Sequence, residues 1–308
     1  MKSSIKANDV KSALKNSTRW STPCFYIDKL GFRLLPRYLR LGARHDYKIF
    51  QELLQRIKPY ISDIKEAKIL DVGCGVRAPF TLLFNSVGAC VVGIDLDVLT
   101  SDVNFARYKR ILTSQGPKRL LTRLITDFYH DKVYYQELER VADFPLNFKE
   151  LDLRQMDASQ TTFKKEEFDL VVSNAVFEHL KNVRGVLAEM KRIMKQNAVI
   201  YVEIHLFPSL TGGHNTLWSN PDTQQVVLGR VPPWDHLRKQ LHPVDPSLNK
   251  LRESEHFRLF SENFKILDWI TEYKEPECYL TPELSSELSE YSRDELLKRS
   301  IVVIARKV

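Results

Sequence analysis

From Ala67 onward the chain alternates short apolar runs with stretches of helical periodicity, and that alternation restricts it to a sheet built from strand–helix–strand units. Six runs read AKILDV, CVVGID, FDLVVSN, AVIYVEIHLF, FKILDWI and SIVVIARK, and a seventh, weaker one spans Leu151 to Met156. Between the third and fourth of these runs, Val183, Val186, Leu187, Met190, Ile193 and Met194 fall on one helical face, as a helix packed on a sheet requires. Strands joined through helices run parallel and are buried on both sides. The expected architecture is therefore an α/β, doubly wound, mostly parallel seven-stranded sheet with helices on both faces.

Ahead of this pattern, Tyr47, Phe50, Leu53, Leu54, Ile57 and Ile61 mark an amphipathic helix expected to lie against the main sheet. Residues 1–65 are read as a helical N-terminal extension and 66–308 as the main domain. The extension carries 14 Lys and Arg against 5 Asp and Glu, so the excess positive charge of the chain resides there. Such an arm attracts a polyanion or is simply a solvated helical face; the latter is the simpler reading.

Two regions exceed what a crossover needs. Residues 98–147 carry Leu120, Leu121, Leu124, Ile125, Phe128 and Tyr129 at helical spacing, with Gln115, Gly116 and Pro117 as a break, and are read as an inserted helical lid. Residues 207–262 follow the end of a strand, are rich in Pro, Gly, Asn, His and Trp, and form a substrate-side loop region. Cys24, Cys74, Cys90 and Cys278 have neither disulfide density nor metal-ligand spacing, so a reducing compartment and no metal are expected. No run approaches the length of a membrane span and no signal peptide is evident, which gives a cytoplasmic expectation.

The strand KILDV leads into Gly73, Cys74 and Gly75, with Pro79 where a helix would start, a turn suited to an anion at a helix N-terminus. Gly73, Gly75 and Ala78 also satisfy a dinucleotide fingerprint, and Asp95 stands 20 residues beyond Gly75, which keeps an NAD(P) enzyme in view. ILDVGCG, GIDLD, MDAS, FDLVVSNAVFEHL and VLAEMKRIMK, in this order and spacing over residues 66–206, resemble the motifs of class I, Rossmann-like S-adenosylmethionine-dependent methyltransferases of the type 11-like group. The resemblance disfavours the NAD(P) reading and implies S-adenosylmethionine as cofactor and S-adenosylhomocysteine as product. It implies that Asp71, Gly73 and Gly75 line the methionine end, that Asp95 takes the ribose hydroxyls, that Asp157 and Ala158 take the adenine, and that Asn174 lies under the sulfonium. Two departures stand out: Arg77 replaces a frequent third glycine, and Gln196 and Asn197 replace a usual Gly-Gly before the fifth strand.

Methyl transfer from a sulfonium needs alignment and exclusion of water, with a base only where the acceptor must lose a proton. His205 and His214 are the leading candidate bases, ahead of His179 and His236. Trp218 and Trp234 either stack on a flat acceptor or anchor their loop. The strand-four end reads Ser173, Asn174, Ala175, Val176 and lacks the Pro-Pro-Tyr of enzymes that methylate nucleobase or glutamine amino groups. These features favour O-methylation of a small molecule or glycan unit. An RNA or lipid-headgroup methyltransferase using the basic arm, and a non-catalytic binding protein of the same fold, stay open.

Overall fold

The computed structural model describes residues 36–96, 131–215, 231–238, 240–241 and 244–307, with isolated helical or turn positions between 109 and 124. Most of the basic arm, much of the expected lid and Trp218 lie outside the described residues.

Helix α1 spans Pro36–Ile57, and its buried positions Leu39, Ala43, Phe50, Leu53 and Ile57 follow the helical period, while Arg37, Arg40 and Arg44 stay exposed. Its apolar side meets two other helices, α2 (Pro79–Ser86) and α3 (Asp131–Ala142), rather than the sheet alone. The aromatic ring of Phe50 stacks on Phe80 at 6.3 Å and meets Phe84 edge-on at 4.9 Å. Those rings supply apolar surface that the sequence pattern had assigned to the sheet.

The strands are β1 (Lys68–Val72), β2 (Cys90–Asp95), β3 (Asp152–Gln155), β4 (Phe168–Asn174), β5 (Met194–His205), β6 (Lys265–Lys274) and β7 (Lys298–Arg306). They form a seven-stranded sheet in the order β3-β2-β1-β4-β5-β7-β6. β1 pairs in parallel with β2 and β4, and β2 with β3. The order turns back between β1 and β4, and an open α/β sheet binds ligands at the carboxyl ends of its strands beside such a switch point. β7 runs antiparallel to β5: Leu206 N–H donates to Arg299 O, while Lys307 N–H donates to Ala198 O at the opposite end.

Helix α4 (Val183–Ile193) buries Val183, Val186, Leu187, Met190 and Ile193, the face read from the sequence. β5 starts at Met194, and Asn197 within it adopts φ 64°, a left-handed conformation that Asn tolerates well. This accounts for an Asn where a glycine is usual. Helix α5 (Glu253–Ser261) lies before β6, and two short helices, α6 (Pro282–Glu287) and α7 (Arg293–Leu297), lead into β7.

The chain divides into two compact units. Among the described residues, one holds the chain from Pro36 to Asn174 with Ala188–Tyr201 and the end of β7 from Arg306, and the other holds Ala175–Leu187 with Val202–Ala305. Among the described residues no helix is long and apolar enough to cross a membrane.

Candidate functional site

In the first unit, the turn after β1 is held from two sides. Gly73 and Cys74 N–H both donate to Ile94 O, at 2.8 and 3.1 Å, and Gly75 N–H donates to Asp95 Oδ2 at 2.9 Å. Gly75 has φ 67°, and Ala78 ends the turn at φ 44° before Pro79 opens α2. A left-handed backbone at Gly75 is the conformation glycine adopts without strain. β2 approaches this turn so closely that a Cβ on Gly93 would lie 2.6 Å from Thr81 Oγ1 and 2.9 Å from Cys74 Sγ.

Asp71 is buried, and its Oδ2 accepts from Thr81 N–H at 3.1 Å and Thr81 Oγ1–H at 2.6 Å. Burial raises its carboxyl pKa to about 6, with the Thr81 hydrogen bonds opposing the rise. Asp71 thus ties β1 to α2.

Beside the turn lies a cavity of about 380 Å³ lined by Asp46, Cys74, Gly75, Val76, Arg77, Pro79, Asp131 and Tyr134. Arg77, at the frequent third-glycine position, donates from Nε to Asp131 Oδ1 at 2.8 Å and lies over the Tyr134 ring, 5.0 Å from its centre. Tyr134 donates to Asp46 Oδ2 at 2.5 Å. Burial pushes the Asp46 carboxyl up, against the Tyr134 hydrogen bond, which pulls it down. The sequence reading missed Asp46, Asp131 and Tyr134. Asp46 could have been found: it is the one acid in the otherwise apolar series Leu39, Ala43, Asp46, Phe50, Leu53, Ile57.

At the remaining strand ends, Asp95 is half-buried and Asp157 is exposed; Asp157 Oδ1 accepts from Ser159 N–H and Oγ–H, both at 2.8 Å. This is the local turn such a residue forms with the chain two positions on. Ala158 beside it is buried. Asn174, which ends β4, has a buried Oδ1 with no hydrogen-bond partner.

In the second unit the structure brings together residues that are far apart in sequence. A single turn, Phe177–His179, is fixed by Asn249, whose Nδ2 donates to Phe177 O at 2.6 Å and to Leu180 O at 3.1 Å. Asn249 N–H also donates to Glu178 O at 2.8 Å. The Glu178 carboxylate is buried, and neither of its oxygens meets a hydrogen-bond partner. His214 Nε2, likewise unpartnered, lies 3.9 Å from Glu178 Oε1. The His214 ring packs edge-on against His179 at 4.9 Å and His205 at 5.6 Å. His179 Nδ1 pairs with Ser247 Oγ at 2.7 Å. Burial raises the Glu178 carboxyl to about 8 and lowers His214 to about 4, the neighbouring His179 adding to the second shift.

Thr211 holds the approach to His214, donating from N–H at 3.0 Å and Oγ1–H at 2.6 Å to Glu275 Oε1. Trp234 is a correction to one sequence reading. Its side chain is fully buried with Leu210, Val231, Tyr279 and Leu280, and its Nε1–H donates to Pro208 O at 3.1 Å. It anchors the loop and presents no face to an acceptor. His236 is also structural: buried, with Nε2 paired to Phe207 O at 2.9 Å and its pKa lowered to about 4 by burial.

A family model described as a methyltransferase domain matches residues 43–264. A tRNA U34 carboxymethyltransferase of Hydrogenovibrio crunogenus is 22% identical over 181 residues, 56% of this chain and 45% of that protein. The match thus spans less than half of that relative's length. Among solved structures, a SAM-dependent methyltransferase from Methanosarcina mazei superposes with a TM-score of 0.42 at 20% identity, covering 82% of this chain and 96% of that one. One from Archaeoglobus fulgidus gives 0.42 at 16% identity, covering 84% and 94%.

Proposed function

Because the chain belongs to the methyltransferase-domain family, with S-adenosylmethionine as methyl donor, we propose that it methylates a hydroxyl group of a small molecule or glycan unit. The cofactor supplies an electrophilic methyl on a sulfonium. The residues at the strand ends suit it: a glycine turn with a free cavity beside it, the half-buried Asp95 for a pair of ribose hydroxyls, and an unpartnered buried Asn174 Oδ1. We assign Gly73, Gly75 and Arg77 to the methionine end, Asp95 to the ribose, and Asp157 with Ala158 to the adenine. Asp71 acts behind them by fixing the turn through Thr81.

The observation that carries the choice of acceptor is the group formed by the buried Glu178 and the half-buried His205 and His214, with unpartnered atoms on Glu178 and His214. A hydroxyl must shed a proton as its oxygen takes the methyl. His205 and His214 are the side chains we assign to the acceptor. Glu178 joins them as the stronger base, since its pKa of about 8 lies nearer neutrality than that of His214, near 4.

A second reading, methylation of RNA, is favoured by the tRNA-modifying relative and by the 14 basic residues against 5 acidic ones in the first 65. Transfer of labelled methyl from S-adenosylmethionine to a panel of phenols, sugars and total tRNA separates the two. Alkali-stable methyl ethers on a hydroxyl acceptor support the proposal; labelling confined to tRNA, with a steep salt dependence, overturns it.

A further inference from the structure

We propose that Glu178, His205 and His214 form a binding site for a divalent transition-metal ion of the zinc type. One ligand atom from each residue falls within 4.8 Å of the others. Ligands around a tetrahedral zinc ion sit at about 2.0–2.1 Å from the metal, which puts them roughly 3.3 Å apart. The 3.9 Å between Glu178 Oε1 and His214 Nε2 is therefore closed by small side-chain rotations.

The independent sign of a ligand is the state of Glu178. The residue is 3% exposed, yet both carboxylate oxygens lack a hydrogen-bond partner, and the nearby His214 Nε2 lacks one as well. Burying such groups without partners is unfavourable, and a cation shared between them offsets that penalty. A second grouping, His179, His214 and Asp245, shares one imidazole but is already satisfied. His179 Nδ1 pairs with Ser247, and Asp245 Oδ1 accepts from Ser247 N–H at 2.9 Å and Oγ–H at 2.6 Å. Those residues are placed to orient the site rather than to ligate.

Two imidazoles and one carboxylate favour zinc, cobalt, nickel, manganese or iron over magnesium or calcium, whose preferred ligands are all oxygen. Three protein ligands leave a coordination position open, as in zinc sites that act on a bound oxygen. The cysteine spacing could not reveal this site, because its ligands come from three separate segments and none is a cysteine. The site uses the same three side chains assigned above to the acceptor and so rests on that reading, in which a bound cation would make a hydroxyl ligand easier to ionise.

The test uses the full-length, untagged protein, stripped with chelator and reconstituted with Zn²⁺ or Co²⁺. We expect one tightly held equivalent of Zn²⁺ per chain by elemental analysis and the visible absorption of imidazole-ligated Co²⁺. Both should be lost in Glu178→Gln and His214→Ala and kept in His214→Cys, which restores a ligand. Absence of stoichiometric metal in the wild-type protein, or retention of it in Glu178→Gln, overturns the proposal. Calorimetry with S-adenosylhomocysteine on the stripped protein checks that each sample is folded. It also separates failure of the metal site from failure of the methyltransferase reading.

Discussion

Thr81 gives both its backbone N–H and its hydroxyl to one oxygen of Asp71, at 3.1 and 2.6 Å, within a fully buried contact between β1 and α2. The acid two residues before the first glycine is thereby a brace for the turn. Thr81→Val removes one donor from a buried acceptor and should cost about 1–3 kcal/mol in urea denaturation, with Thr81→Ser close to wild type.

Gly93 is the second brace. In Gly93→Ala the new methyl would meet Thr81, Cys74 and Leu153 Cδ2, the last at 2.8 Å. Overpacking of this kind costs about 1–3 kcal/mol. Because the displaced atoms support the glycine turn, S-adenosylhomocysteine affinity should fall together with the melting temperature.

Arg77 exchanges the flexibility of a glycine for a charge paired to Asp131. Arg77→Ala leaves Asp131 unpaired on the cavity wall, where it repels the carboxylate of the cofactor. We expect S-adenosylhomocysteine to bind about tenfold more weakly by calorimetry, which corresponds to about 1.4 kcal/mol. Unchanged affinity would place the methionine end elsewhere.

Acid sensitivity follows from groups of opposite sign. Burial holds His256 near pKa 4, below its ordinary 6.5, so the unfolded chain takes up this proton first and stability is lost as pH falls from 6.5 toward 4. Asp71 is raised from 3.8 to about 6, so its contribution is fully present below 3.8 and is lost as pH rises through 6. Denaturation midpoints measured across this range should fall less steeply with acid in His256→Gln and more steeply in Asp71→Asn.

Much of the fold could be read from the sequence because sheet strands and their covering helices carry opposite periodicities. The apolar face from Val183 to Ile193 and the run FDLVVSN took the elements expected of them. What escaped were contacts between segments that no local pattern links. The Phe50 ring against Phe80 and Phe84, and Asp46 beneath Tyr134, depend on where α3 crosses α1. Trp234 was ambiguous because a buried and an exposed tryptophan look alike in sequence; the partner that decides it, Pro208 O, lies 26 residues away. The histidines at 179, 205 and 214 were each noted singly, but their meeting with Glu178 needed the turn that Asn249 holds.

The most direct test is calorimetric titration of the purified protein with S-adenosylmethionine and S-adenosylhomocysteine, with NAD(H) and NADP(H) as controls and Asp95→Ala alongside. Asp95 links the glycine turn to the end of β2 through Gly75, so the account predicts micromolar binding of the sulfur cofactors alone by the wild-type protein. That binding should weaken at least tenfold in a folded Asp95→Ala variant. Binding of a dinucleotide instead, or equal affinity in the variant, would contradict it.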